Sequence, residues 1–278
     1  MNPSKHLKHL CRFAFCAVFS IISTGLAQEA KEGGDETAAL AMKLSNPVAS
    51  LISAPLQYNY DANMGPNDKG SRSLLNIQPV IPISLGEDWN VISRTIVPVL
   101  DMQDMPYGSQ FGLGDVLQSF FFSPKKPTEW GGVIWGVGPA LLFPTATDEV
   151  LGGEKWGAGP TAVALKQSGP WTFGLLFNHI WSYAGDNDRG DINATYMQPF
   201  MTYLVKSTKT TFGLNTETSY DWANDTWSVP VNLTVAQMFK IQGQLFQVVA
   251  GPRYWAVSPD GGPEDFGFRV GVTLLFPM

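Results

Sequence analysis

The chain has 278 residues, of which 44% are hydrophobic and 15% are charged, and its formal net charge is −6. An acidic balance argues against nucleic acid as a partner, because a phosphate backbone is bound by basic surfaces. Soluble domains carry roughly 25% charged residues, so the low charged fraction directs attention to a membrane environment.

The first 27 residues have the features of a secretory signal peptide. Lys5, Lys8 and Arg12 form a basic start, and the apolar stretch 13–26 is followed by a small residue. This stretch is shorter than the roughly 20 residues of a transmembrane helix. We predict cleavage after residue 27, which removes both cysteines and hence any disulfide. It also removes three of the 18 basic residues, so the net charge of the remaining chain falls to −9.

The next segment, 28–46, is polar at first and rich in helix-forming residues from 37 to 44. Asn46 and Pro47 end this pattern, because proline cannot continue a helix. We predict a periplasmic N-terminal segment, for which two interpretations stay open. It is either a free tether or a short helix that enters and plugs a lumen.

From residue 48 onwards, apolar residues recur at every second position, which is typical of β-strands with one apolar face. The pattern is clear at the end of the chain, where Val270, Val272 and Leu274 alternate with Arg269 and small or polar residues. The segments are about 11 to 13 residues long, which is enough for strands that cross a membrane. We predict twelve strands, at residues 48–60, 73–85, 89–101, 111–123, 131–143, 156–166, 171–183, 193–205, 210–222, 227–239, 244–256 and 266–276.

The connections between these strands alternate in length. Those after even-numbered strands are mostly short, whereas longer and mostly acidic loops follow odd-numbered strands, at residues 61–72, 101–110, 144–155, 184–192 and 257–265. Outer-membrane barrels have short periplasmic turns and long outer loops. The fold class predicted for residues 47–278 is therefore all-β, a transmembrane antiparallel β-barrel of about 12 strands.

One alternative and one difficulty accompany this prediction. A soluble β-sandwich also has alternating strands, although they are usually about 5–6 residues long. Prolines are the difficulty, because a closed barrel has no edge strands to accommodate them. Bulges or kinks in the wall are the available solution. The prolines within predicted strands are Pro55, Pro79, Pro82, Pro98, Pro139, Pro160, Pro199, Pro230 and Pro252.

Several short motifs match a known group of proteins. They lie at residues 46–57 (NPVASLISAPLQ), 112–115 (GLGD), 136–147 (GVGPALLFPTAT), 155–160 (KWGAGP) and 258–263 (SPDGGP). With these motifs the sequence resembles the bacterial outer-membrane "transporter" family over nearly the whole mature chain. That family is similar to the meta-pathway phenol-degradation barrel family. The resemblance implies an outer-membrane barrel that moves small, including hydrophobic, molecules, and it implies no catalytic residue.

An outer-membrane enzyme is the least favoured interpretation. The one histidine left after cleavage, His179, shares its register with Phe173, Leu175 and Phe177. We therefore expect it to face lipid near the outer interface rather than to act as a general base. The acidic loop 186–191 is out of register with a calcium-binding EF-hand, so we predict neither a metal nor a cofactor.

The residues that alternate with the apolar positions would point into the barrel. Ionisable side chains there must pair or contact water. They form either a polar constriction that selects permeants or an internal salt-bridge network that closes the lumen. The candidate lumen-lining residues are Arg94, Glu217, Asp221, Arg253, Arg269, Gln57, Asn59, Gln78, Asn178 and Asn215.

The last strand also resembles the signal that the bacterial barrel-assembly machinery reads, with Arg269, Gly271, Leu274 and Phe276 at its key positions. We therefore expect the cell outer membrane as the location, with lipid, lipopolysaccharide and the assembly machinery as partners. The function predicted first is a channel or transporter for a small-molecule permeant. The alternative is a closed structural or surface-interaction barrel without transport.

Overall fold

The computed structural model describes residues 34–129 and 131–276. The predicted signal peptide, the part of the 28–46 segment before residue 34 and the last two residues lie outside these ranges. Within them the chain forms one helix, α1 (Gly34–Leu44), and fifteen strand segments. The segments are β1 (Ile52–Met64), β2 (Gly70–Ile77), β3 (Val80–Leu85), β4 (Trp89–Met105), β5 (Gly108–Leu113), β6 (Val116–Pro124), β7 (Val133–Phe143), β8 (Lys155–Ser168), β9 (Trp171–Gly185), β10 (Asn193–Val205), β11 (Thr210–Thr216), β12 (Thr218–Asp221), β13 (Thr226–Ile241), β14 (Gln244–Val257) and β15 (Asp265–Phe276).

The strands form a closed antiparallel barrel. Strands that follow each other along the chain pair in the sheet, and β15 pairs with β1 from Ile52↔Phe276 to Tyr60↔Phe268, which closes the ring. Three wall strands are interrupted, so that β2 with β3, β5 with β6, and β11 with β12 each make one. The described chain therefore has twelve wall strands, and the predicted all-β antiparallel barrel is confirmed.

Each interruption of the wall lies opposite a proline on a neighbouring strand. At each one a backbone N–H donates to the proline carbonyl, but proline has no N–H to complete the pair of ladder bonds. The wall thus accommodates these prolines through local breaks in the facing strand. The three pairs, with their N···O distances, are Gln78 with Pro55 (2.8 Å), Gly114 with Pro98 (2.9 Å) and Glu217 with Pro230 (3.2 Å).

Two of the predicted loops are mostly strand. The hairpins β1–β2 and β4–β5 run well into 61–72 and 101–110, and each contains a register shift. Asn63 and Asp104 take the left-handed conformation at these irregularities, each with φ of 55°. Beyond the apolar belt both faces of a strand can be polar, so alternation stops marking the strand although its hydrogen bonds continue.

The two faces of the wall differ in exposure. On β15 the inward Arg269 and Leu275 are 3% and 1% exposed, whereas the outward Phe266 and Phe276 are 67% and 44% exposed. Exposed large apolar side chains recur at every second position of other strands, as at the start of β9. Such an extensive apolar exterior is unusual for a soluble monomer and typical of a barrel that faces lipid.

From Ala38 onwards, helix α1 packs inside one end of the barrel. This is the short-turn end, which carries the turns 86–88, 169–170, 206–209 and 242–243. Residues 45–51 lead from the helix to β1, which begins at Ile52 rather than at the predicted position 48. In the described chain, no helix is long and apolar enough to cross a membrane. The apolar cluster between helix and wall comprises Ala38, Leu40, Ala41, Leu51, Leu204, Met238, Leu245 and Leu275.

Val48 continues the apolar filling of this end. It packs with the inward Ile92 and Phe121, which are fully or almost fully buried. A Cβ atom on Gly136 would come within 3.1 Å of Phe121 and 3.3 Å of Val48. The glycine on β7 therefore makes room for the segment that follows the helix.

Candidate functional site

The barrel interior is layered along its axis. From the short-turn end of β15, the inward side chains are Leu275 in the apolar cluster, then Thr273 beside a cavity, then Arg269 in a charged network. β14 repeats this order with Leu245, Gln247 and Arg253. The period-two alternation of each strand places these residues on one face and so builds the layers.

Glu217 is the centre of the charged network. Its Oε2 accepts a hydrogen bond from Nη1 of Arg253 at 2.8 Å and another from Nη2 of Arg269 at 2.7 Å. Both guanidinium groups are almost fully buried. Buried charges are tolerated only when they are paired in this way, so the three predicted residues act as one unit.

Asp61 is a second buried carboxylate of this network, with 0% exposure. It accepts from Nη2 of Arg72 at 2.8 Å, from Nε of Arg253 at 2.9 Å and from the indole N–H of Trp255 at 2.8 Å. Asp61 and Arg72 are not among the predicted lumen-lining residues, because they lie at the two ends of the predicted loop 61–72. Asp61 could have been found from its register, because it lies two residues after Asn59 and therefore on the same inward face of the strand.

Amide side chains extend the network sideways. Asn59 accepts from Nε of Arg269 at 2.7 Å. Asn232, which is fully buried, accepts from Nη1 of Arg253 at 3.0 Å and donates to Oδ1 of Asn215 at 2.9 Å. The network therefore links six adjacent wall strands on the inside of the barrel, from β11–β12 through β15 to β1 and β2.

A cavity of about 230 Å³ lies inside the barrel. On β1, β14 and β15 its lining residues fall between those of the apolar cluster and those of the charged network. Its polar lining includes Gln57, Gln78, Arg94, Gln198, Gln247 and Thr273. Five of these side chains are amides or hydroxyls, and they come from strands that are far apart in the sequence.

Arg94 differs from the other arginines of the described chain, because it alone has no carboxylate within 4.0 Å. Its Nη2 donates to Oε1 of Gln78 at 2.8 Å, and both side chains border the cavity. Gln78 sits at the wall break opposite Pro55, where the neighbouring strand cannot return a ladder bond. The break therefore coincides with the position that holds Arg94.

Asp221, Asn178 and His179 take no part in the charged network or the cavity lining. Asp221 ends β12, where its carboxylate accepts the backbone N–H groups of residues 223 and 224, so it caps a hairpin turn instead of joining the lumen network. Asn178 is buried on β9 opposite Thr161. His179 is on the outward register, with Nδ1 2.7 Å from the hydroxyl of Thr195.

The residues of the predicted assembly signal divide between the two faces of β15. Arg269 and Gly271 are on the inward face, and Leu274 and Phe276 are on the outward face. Recognition by an assembly machinery stays a prediction. Among the described residues, no group of three or more acidic, histidine or cysteine side chains is arranged to hold a metal ion.

Comparison with solved structures identifies the fold. An outer membrane channel from Pseudomonas putida F1 matches with a TM-score of 0.64 and 14% identity, over 82% of this chain and 96% of that chain. The β domain of the Bordetella autotransporter BrkA (10% identity, 82% of this chain, 100% of that chain) and the outer membrane phospholipase of Salmonella typhi (11%, 88% and 98%) match with TM-scores of 0.46 and 0.45. The chain thus has the fold of an outer-membrane β-barrel.

No family model matches the chain, and no curated protein matches it. Membership of the "transporter" family and kinship with the phenol-degradation barrels therefore stay predictions.

Proposed function

We propose that this protein is an outer-membrane barrel that lets a small solute cross, and that the described conformation is the closed state of its route. The observation that carries the proposal is the cavity inside the barrel, which polar side chains line between the helix and the charged network. A barrel with a purely structural role has no need for such a cavity, because interior side chains can fill a narrow barrel completely.

Two barriers border the cavity along the axis. At the short-turn end, α1 packs against the wall mainly through apolar side chains, and Nε2 of Gln167 on β8 donates to the backbone carbonyl of Met42 at 2.8 Å. On the other side, the charged network is held by hydrogen bonds between side chains. A solute passes when the helix shifts and the network rearranges, and both changes leave the wall hydrogen bonds intact.

Reconstitution into lipid bilayers is the direct test. We expect wild-type protein to show brief, small conductance steps and to allow slow entry of small solutes into liposomes. Folding is checked independently by a heat-dependent shift in gel mobility, which folded barrels give. Well-folded protein that never conducts and never admits a solute contradicts the proposal.

The second candidate function is a closed barrel that acts through its surface. The specific observation in its favour is the charged network, which joins wall strands that are not neighbours, as a structural brace would. This function predicts that breaking the network lowers stability without creating conductance. The same bilayer recordings, made on network variants, separate the two functions.

A further inference from the structure

The cavity of about 230 Å³ has an unusual charge balance. Arg94 and Lys43 border it, and none of the lining residues in the described ranges is Asp or Glu. The chain as a whole is acidic, with a net charge of −6. Lys43 is exposed to solvent, so the cation that matters for binding is Arg94, which has no carboxylate of the described chain within 4.0 Å. A fixed cation that is not directly paired attracts an anion strongly when little water surrounds it.

Arg94 has unused capacity to bind such an anion. A guanidinium has five N–H donors in a planar fork that matches the two oxygens of a carboxylate. Within the described chain Arg94 donates one side-chain hydrogen bond, to Gln78, and this bond also fixes its orientation. The remaining donors are available for a bidentate contact.

The rest of the cavity wall limits the size and the polarity of the ligand. Leu44, Leu51, Val80 and Leu176 supply an apolar wall. The volume is below the roughly 300–1,000 Å³ of pockets that hold drug-sized ligands. A compact apolar body with a single charged group therefore fits better than a sugar or a peptide, whose many polar groups would face leucine side chains.

Additional amides complete the recognition surface. Gln57, Gln198 and Gln247 line the cavity, and their side chains make no hydrogen bond to the described chain. An amide can donate and accept. These groups can therefore bind either a second polar group of the ligand or the water that accompanies it.

We propose that this cavity binds a small organic monocarboxylate, with its carboxylate on the guanidinium of Arg94 and its apolar body against the leucine wall. Binding is a property of the folded barrel and is measured without a membrane gradient. The assignment of this ligand as the permeant rests on the proposed function above, whereas the binding site itself does not.

Titration calorimetry of the barrel in a neutral detergent tests the inference. The probes are benzoate, the uncharged benzyl alcohol of similar shape, and acetate, which lacks the apolar body. We expect benzoate to bind about tenfold or more tightly than either of the others, because each lacks one of the two contacts. Equal affinity for benzyl alcohol, or for acetate, overturns the corresponding half of the proposal.

Arg94→Gln is the main variant, and Arg189→Gln in an outer loop is its matched control. We expect Arg94→Gln to lower benzoate affinity by about tenfold or more and to leave benzyl alcohol unchanged. Arg189→Gln should change neither. Unchanged benzoate binding in a folded Arg94→Gln barrel overturns the proposal.

A third variant tests the site independently in case Arg94→Gln does not fold. Gln198→Trp fills the cavity and keeps Arg94, and we expect it to abolish benzoate binding. If it binds benzoate like the wild type, the ligand is not in this cavity. Benzoate binding without any solute flux retains the site and rejects only the proposed function.

Discussion

The guanidinium of Arg253 donates from Nε to Oδ1 of Asp61 at 2.9 Å, and this ion pair joins two wall strands that are not neighbours. Arg253 belongs to β14 and Asp61 to β1, and β15 lies between them. The pair therefore spans the place where the ring closes and supports that closure from the inside.

Replacing Asp61 by asparagine should destabilise the barrel. Arg72 and Arg253 then lose a buried partner, and breaking such a pair costs roughly 3–5 kcal/mol in the free energy of unfolding. Unfolding in denaturant, followed by tryptophan fluorescence in lipid or detergent, measures the loss. Asp260→Asn, at an exposed turn, should change stability by less than about 0.5 kcal/mol. Equal effects of the two substitutions would contradict the structural role of the pair.

Replacing Glu217 by glutamine should change ion selectivity. The charged network contains Arg72, Arg253 and Arg269 against Asp61 and Glu217. Removing one carboxylate raises the net positive charge of the interior, so we expect more frequent openings and a higher preference for chloride over potassium. Reversal potentials under a salt gradient measure this preference. Glu264→Gln, on the surface, is the control, and a shift toward potassium in Glu217→Gln would refute the prediction.

Two alanines on α1 allow a matched test of the helix. Ala41 is 1% exposed within the apolar cluster, whereas Ala39 faces outward from the packed side. Ala41→Glu buries a charge without a partner, so we expect the helix to leave the barrel end and the conductance to rise. Ala39→Glu should conduct like the wild type. If the two variants behave alike in bilayer recordings, packing of the helix does not control the route.

Phe276→Asp tests the predicted assembly signal. We expect this variant to accumulate unassembled, as measured by the heat-dependent gel shift of protein recovered from outer membranes. Phe266→Asp is the control, since it puts the same charge on the same outward face at the other end of β15. Normal assembly of Phe276→Asp, or equal failure of both variants, would show that Phe276 does not act as part of an assembly signal.

Much of the fold was predictable from the sequence, because the apolar belt imposes a strict alternation on the wall strands. Predicted and observed ends agree for the strand 193–205, which is β10 (Asn193–Val205). Agreement fails where the belt no longer constrains the sequence, as in the hairpins that extend into 61–72 and 101–110. It also fails at 48–51, which we predicted as the start of the first strand, because Val48 and Leu51 instead fill the interior beside the helix.

The site was predictable only in part. Glu217, Arg253 and Arg269 stood out as charges on otherwise regular strands, and the structure brings them into contact. Their partner Asp61 did not, since it was the first residue of the predicted acidic loop 61–72. Arg94 is the one arginine of the described chain without a carboxylate within 4.0 Å. Which side chains surround it depends on the register between strands, and that register cannot be read from the sequence.

The wall breaks opposite proline have a consequence for motion. Each lacks one ladder N–H, which among the described residues only the break at Gly114 replaces with a side-chain bond, from the hydroxyl of Thr145 to the Gly114 carbonyl at 3.1 Å. We therefore expect the backbone at the other two breaks to open locally at lower cost. Two of the three breaks, at Gln78 and Glu217, carry side chains that hold Arg94 and Arg253. Hydrogen–deuterium exchange should therefore be fastest, within the wall, beside the groups that line the interior. Under the proposed function, a solute that displaces these side chains deforms the wall where it is most compliant, and the remaining ladder keeps the ring intact.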